Sequence, residues 1–291
     1  MPRKAEIYTN IDVLHERFKK ASKNQQSLLR VLTEAEIPEH VYNSNAIENS
    51  TLTLEETEKI LLQLDLDRYV TEREIFEAKN LARVMAYLEG NTNKKLTDKS
   101  ILLFHKMLLG NIGDDIAGRW RTGNEWVRVG SHIGADPAEV KKRIKEAIKV
   151  FYTADEDESV ITRIARFHLE FEHIHPFVDG NGRIGRLLNN YLLLEAGYVP
   201  INVAFVNRTQ YYDALRAYDD KEDTKAMEGI IGLALSNSLH KRLAYLEGKQ
   251  IITLNEYSKQ EKQVHANLIN KAKRQTIAAF LEKGIWKIGV Q

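Results

Sequence analysis

The stretch His175-Pro176-Phe177-Val178-Asp179-Gly180-Asn181-Gly182-Arg183-Ile184-Gly185-Arg186 decides how this chain is read. Upstream, the apolar spacing of Ile161, Ile164, Phe167, Leu169 and Phe171 is that of a buried helix. That helix ends near His173 to His175, because Pro176 has no amide hydrogen and cannot continue it. Downstream, Arg183 to Leu194 resumes a helical pattern, stopped by Gly197 and Pro200. The loop Asp179–Gly182 thus sits on a helix N-terminus, where unpaired amides and the positive end of the dipole favour an anion. Gly180 and Gly182 let the backbone turn tightly and approach a ligand with no Cβ in the way. Arg183 and Arg186, three apart, share a helix face and can grip neighbouring phosphates. With a histidine base and a carboxylate in the same few residues, the pattern asks for a nucleotide phosphate.

Plainer readings compete. Asp-Gly and Asn-Gly also make hairpin turns, but here the flanks have helical, not alternating, periodicity. A helix–loop–helix corner with histidines satisfied in the core is a second. A zinc site of His168, His173 and His175 is a third, and it is disfavoured. His-x-His at a helix end points its imidazoles apart, and no His-Glu-x-x-His spacing occurs.

Around this motif, 291 residues suffice for one large domain or two modest ones. A hydrophobic content of 43% and a charged content of 29% are those of a globular protein. The formal net charge of +1 offers no global field for nucleic acid or membrane. The absence of cysteine excludes disulfides, thiolate catalysis and cysteine-based metal sites. Neither a secretory leader behind Met1 nor a membrane-length apolar run is read, so a cytoplasmic protein without membrane contact is expected.

Helical spacing dominates elsewhere. An early helix is expected over Ile11–Leu32. A capping box at Thr53 and Glu56 opens another at Glu55–Leu66. Further helices are expected at about 72–90, 97–110, 137–154, 158–174, 183–196, 208–219 and 224–246. The exception is Asn124–Gly130, bounded by glycines and rich in β-favouring residues, which reads as a short hairpin. The fold class is all-α. The expected organisation is an N-terminal helical region at 1–95, a core at 96–246 and a basic C-terminal appendage at 247–291.

The motif resembles the active-site signature of Fic-domain AMP-transferases, His-x-Phe-x-Asp/Glu-Gly-Asn-Gly-Arg-x-x-Arg, with no departure at a defined position. The likeness runs over roughly residues 40–235 and implies a Fic-type helical bundle with a β-hairpin flap. It implies that His175 takes the proton of a hydroxyl on a target protein and that Phe177 anchors the loop. Asp179 would hold Mg²⁺, and Gly180, Asn181 and Gly182 would form the anion hole. Arg183 would hold the β-phosphate region and Arg186 the γ-phosphate of ATP. AMP would pass to a Ser, Thr or Tyr hydroxyl of a protein, self-modification included, and a homodimer is compatible with this. The retained Gly-Asn-Gly-Arg core favours adenylylation over the kinase-like branch.

Three further segments gain meaning from the resemblance. Ser44-Asn45-Ala46-Ile47-Glu48-Asn49 resembles the family's inhibitory pattern on a helix around 41–50. It implies that Ser44 and Glu48 share a helix face and that Glu48 forms a bidentate pair with Arg186. Gly118–Gly123 with Glu125–Ser131 resembles the flap over the active site, with Arg121 as its brace and Trp126 packing an ordinary hairpin in the plainer reading. Asn207–Tyr212 resembles the border of the adenine pocket, with Tyr212 as the stacking candidate. Residues 251–291 carry seven basic and three acidic residues, a net of +4, and faintly resemble a winged helix-turn-helix. There Lys271–Gln275 would begin the recognition helix and Trp286–Ile288 would enter the wing, which would bring DNA to the tail. The expected function is protein adenylylation held off by Glu48. The alternatives are an inactive regulatory or DNA-linked binding module and a de-AMPylase in which Glu48 activates water.

Overall fold

The computed structural model describes residues 4–129, 132–155 and 157–291, with side chains from Asn10 onward. Twelve α-helices and two small antiparallel sheets are found among the described residues, so the all-α expectation holds. The chain divides into two bodies. One comprises Met1–Glu36, Val199–Asn202 and Gly229–Gln291, the other Ile37–Tyr198 and Val203–Glu228.

The second body carries the motif. It takes in the end of α2 (Gln26–Ile47), then α3 (Leu54–Leu61), α4 (Glu72–Leu88) and α5 (Asp98–Leu109). Strands β1 (Arg128–Val129) and β2 (His132–Ile133) follow, then α6 (Val140–Thr153), α7 (Val160–Ile174), α8 (Asn181–Glu195) and α9 (Arg208–Lys221). Helix α8 is its axis: every residue but Gly182, Leu194 and Glu195 is buried, as befits a helix packed on all sides. Helix α7 packs along α8, α6 and α9 flank α7, and α4 and α5 close the other side. The capping box at Thr53 and Glu56 forms, and Thr71 with Glu74 makes a second at the start of α4.

The first body holds α1 (Lys4–Ala21), the start of α2, most of α10 (Lys225–Leu246) and the C-terminal elements β3 (Gln250–Thr253), α11 (Leu254–Gln260), α12 (His265–Lys273), β4 (Ala279–Glu282) and β5 (Ile285–Val290). Buried Arg242 meets both oxygens of Glu36, at 2.6 and 3.3 Å, and Lys241 joins Glu36 to Glu282 at 3.2 and 2.6 Å. These charges are tolerated inside because each is paired.

Several expectations need correction. Ile11–Leu32 is not one helix: the chain breaks between α1 and α2 at Asn24, which adopts φ 60°, a left-handed conformation that asparagine accepts more readily than most residues. The helix expected at Glu55–Leu66 stops at Leu61, with Gln63 at φ 57° just beyond. The hairpin has strands of only two residues, paired Arg128↔Ile133 and Val129↔His132. Its expected residues Gly130 and Ser131 lie outside the described residues. Trp126 is exposed rather than packed under it. In the tail, α12 ends at Lys273, so Lys271–Gln275 closes that helix instead of opening it.

Candidate active site

Helix α7 ends where Pro176 forces it to, and His175 is its C-cap in the left-handed region, φ 50° and ψ 66°. A side chain other than glycine is strained there, so the surroundings must hold it. Arg121 does much of that. Fully buried, it donates from Nε to the His175 carbonyl at 2.7 Å and from Nη2 to the carbonyls of Ile174, at 3.0 Å, and of Ala135. A cation collecting unpaired carbonyls is a helix C-cap in side-chain form. Arg121 therefore braces the His175 corner and also bonds the Glu125 carbonyl, within the expected flap, at 3.3 Å.

Phe177 lies fully buried between the rings of His105, stacked at 3.7 Å, and Trp120, at 5.0 Å. The Asn181 amide brackets this residue, accepting from its N–H and donating to its carbonyl, both at 2.9 Å. Gly118 N–H donates to His105 Nδ1, which leaves the proton on Nε2 to bond the Asp179 carbonyl at 3.0 Å. Burial pushes His105 down to about 4, so it stays neutral in that role. Asn181 thus shapes the loop with its side chain, and only its backbone N–H is left to face an anion. Gly180 takes φ 83° at the start of α8.

The acidic and basic groups of the motif are already engaged. Asp179 accepts from Arg73 at 2.5 Å and from Arg183 at 3.1 Å. Burial alone would favour its protonation, but Arg183 and Arg73 hold it below the ordinary carboxylate range. Arg183, itself buried, lies between Asp179 and Glu77, the latter at 2.9 Å. Arg186, also buried, donates to Ser44 Oγ at 3.0 Å, to the Ser44 carbonyl at 2.8 Å and to Glu48 Oε1 at 2.9 Å. The Glu48 contact uses one carboxylate oxygen, so the pair is not the bidentate fork expected. Ser44 supplies the other bonds. Helix α2 stops at Ile47, so Glu48 stands in the turn just beyond it rather than on a shared helix face. Glu48 Oε1 also rests against Gly182 so closely that a Cβ there would collide with it. A carboxylate therefore occupies the junction of the α8 N-terminus and Arg186, where the sequence expects an anion.

Beneath Arg186 lie groups that sequence reading missed. Tyr211, fully buried, bonds His168 Nε2 at 2.8 Å and lies 3.4 Å from Arg186. Glu172 is buried with its Oε2 3.9 Å from His175 Nδ1, and burial, then repulsion from Glu48, push it up to about 8. A Cβ on Gly185 would strike Glu172 Oε1 and the His168 ring, so only glycine fits. The one available signal was the Tyr211–Tyr212 doublet, and the reading chose its other member. Tyr212 bonds the Ile47 carbonyl at 3.2 Å, and the Arg208 guanidinium lies 5.3 Å from the centre of its ring.

His175 is driven down to about 4, first by burial and against bonding to the Glu172 carbonyl. It is neutral at pH 7. His168, His173 and His175 do not converge: His168 faces Tyr211, and His173 bonds Asp219 at 2.8 Å. Instead His132, His173 and Asp219 bring one ligand atom each within 4.8 Å of one another.

Helix α7, the glycine loop and α8 thus set a buried neutral histidine before a helix N-terminus opened by glycine. Residues 95–193 match the Fic/DOC family. Protein adenylyltransferase Fic of Drosophila mojavensis is 34% identical over 184 residues, which cover 61% of this chain and 36% of that protein. The chain thus spans little more than a third of the curated relatives it matches. Among solved structures, a Fic domain containing signaling protein from Bacteroides thetaiotaomicron aligns with a TM-score of 0.74 at 22% identity, over 83% of this chain and 99% of that one. Fic-1 from C. elegans aligns at 0.69 and 25% identity, over 82% and 71%. No helix among the described residues is long and apolar enough to cross a membrane.

Proposed function

We propose that this protein is a Fic-type nucleotidyltransferase that moves AMP from ATP to a hydroxyl on a protein, and that it is held off by Glu48. The observation that carries the reading is the carboxylate of Glu48 lying on both Gly182 and Arg186. An acidic side chain there supports an anion site at this point, one that Glu48 blocks.

In the reaction, neutral His175 accepts the proton of the attacking hydroxyl. The hydroxyl oxygen forms its bond to the α-phosphorus in line with the bond that breaks, and pyrophosphate leaves. The amides opening α8 stabilise the charge that grows on the α-phosphate. An anionic phosphate beside His175 raises its proton affinity from the resting value, towards what a base at neutral pH needs. Arg183 and Arg186 clamp the outer phosphates once Glu77, Ser44 and Glu48 yield them. Asp179 fits Mg²⁺: it is a hard oxygen donor beside a phosphate cradle, and Mg²⁺ characteristically takes one or two carboxylates with the rest from phosphate and water. When bound there, the ion would neutralise phosphate charge. Functionally we divide the chain into an N-terminal helical region 1–95 with its inhibitory segment around 41–50, the catalytic core 96–246 and the tail 247–291, and we place the protein in the cytoplasm.

The test is transfer of label from α-³²P-ATP with Mg²⁺ to the protein itself or to added lysate proteins. Wild type, Glu48→Gly and Glu48→Gly/His175→Ala are compared. Label appearing with Glu48→Gly and vanishing with His175→Ala is expected. Equal labelling of wild type and Glu48→Gly would end the inhibitory reading, and no label in any variant would end the transferase reading.

A further inference from the structure

The tail is absorbed by none of this chemistry, yet it is built with care. Helix α11 starts on a capping box, Thr253 with Glu256, and α12 follows after a four-residue turn containing Lys262 at φ 51°. Strands β4 and β5 then form an antiparallel hairpin whose turn residues, Lys283 and Gly284, both have positive φ, 50° and 76°. Two such residues make the tight turn that matches strand twist. Strand β3 pairs with β5 to complete the order β3-β5-β4. Leu254, Leu268, Ala272, Ala279 and Ile288 form one buried cluster, with Tyr257, Ile269 and Trp286 against it. Gln275 locks the end of α12, donating to the carbonyls of Ala272 and Ala279 and bonding His240.

Because α12 buries Leu268 and Ala272, its other side is turned outward. Ala266, Asn267, Asn270, Lys271, Lys273 and Arg274 are all exposed. No carboxylate lies on α12. Of the tail's three acids, Glu256 caps α11 and Glu282 is held by Lys241 and Lys287, both at 2.6 Å. Among the described residues, no ion pair involves Lys271, Lys273 or Arg274. The outward face therefore pairs two amides, able to read base edges, with three cations for phosphates.

We propose that the segment from Gln250 to Gln291 is a winged helix-turn-helix that binds duplex DNA, with α12 in the major groove and the β4–β5 turn against the phosphate backbone. With its side chains an α-helix such as α12 is about 10–12 Å across, which a B-form major groove about 12 Å wide admits. The deep, narrow major groove of an RNA duplex does not admit such a helix, which favours DNA. The proposal is independent of the transferase reading.

The experiment is fluorescence anisotropy of the full chain with a labelled mixed-sequence duplex of about 20 bp at roughly 50 mM salt, where phosphate contacts count most. Binding is expected, and it should weaken steeply as salt rises. Lys271→Glu/Lys273→Glu/Arg274→Glu should weaken it by roughly 100-fold or more, with only a small fall in the thermal melt from the lost cation–dipole interaction at the exposed end of α12. Asn267→Ala/Asn270→Ala should keep affinity for mixed sequence but lose any motif that the wild type enriches from a random duplex pool. Three outcomes would overturn the proposal: no binding to the duplex, binding indifferent to the charge reversals, or tighter binding to single-stranded RNA of equal length.

Discussion

Arg183 and Arg186 are buried and held by carboxylates and by Ser44, whereas Lys271, Lys273 and Arg274 stand in solvent on α12. A buried guanidinium without a counter-ion costs several kcal/mol, so the chain pairs each with its own carboxylates. An exposed ammonium is satisfied by water and salt. A ligand at the first site must therefore displace a specific carboxylate, and a single substitution can expose the site. A ligand at the second releases counter-ions, so salt rather than any one residue controls it.

The largest effect tests the buried site itself. In the Glu48→Gly background, His175→Ala is expected to lower label transfer by roughly 1,000-fold, within the range general bases contribute. A fall of less than tenfold would mean that another group takes the proton. Removing the stand-in anion comes next. Glu48→Gly should raise transfer by roughly 10- to 100-fold, since a charge-assisted bond of this kind contributes about 1.5–3 kcal/mol. Adding salt should imitate this poorly, because the pair is shielded by burial. A wild-type rate that climbed with salt to the variant's level would erase the contrast between the two surfaces.

How much of this was legible beforehand follows from the range of the interactions. The loop from His175 to Arg186, with the helices on either side, is set by proline, glycine and helical spacing within one stretch, and it reads directly. The resemblance pointed to Glu48, although not to its single-oxygen contact or its place beyond the end of α2. Arg73, Glu77, His105 and Tyr211 were missed for a different reason. Each meets the motif across 25 or more residues of chain, and no spacing rule links Glu77 to Arg183 or His105 to Phe177. In the tail, the basic cluster at 271–274 drew attention to the wrong end of α12. Lysines and arginines gather at helix C-termini because the dipole favours them there, and the apolar pair Leu268 and Ala272 was the better guide.

The loop's own framework should be costly to disturb. Asn181→Ala deletes both bonds to the Phe177 backbone and leaves a buried N–H and carbonyl unsatisfied, which is expected to lower unfolding stability by about 3 kcal/mol. Chemical denaturation measures it, and a loss below about 0.5 kcal/mol would show that the bracket is dispensable.

The smallest effect separates the acids beside the arginines. Asp179 is charged, whereas Glu172 is pushed up to about 8 by burial and by Glu48, so at pH 7 it retains its proton in the folded chain. Its unfolded value lies near 4.5. Between pH 4.5 and 8 the unfolded state therefore binds fewer protons at this residue than the folded state, and this residue's contribution to stability declines as pH rises. The buried histidines act in the opposite sense. His105 and His175 are lowered to about 4 and His168 to about 3, so stability is lost as pH falls below their unfolded value of 6.5. Glu172→Gln cannot ionise in either state, so it removes the alkaline slope and leaves the acid one. Its stability relative to wild type should improve by about 1–2 kcal/mol between pH 6 and pH 8, read from denaturation midpoints at each pH. Parallel curves would mean that Glu172 is ionised in the folded protein and is a second counter-ion to Arg186 beside Glu48.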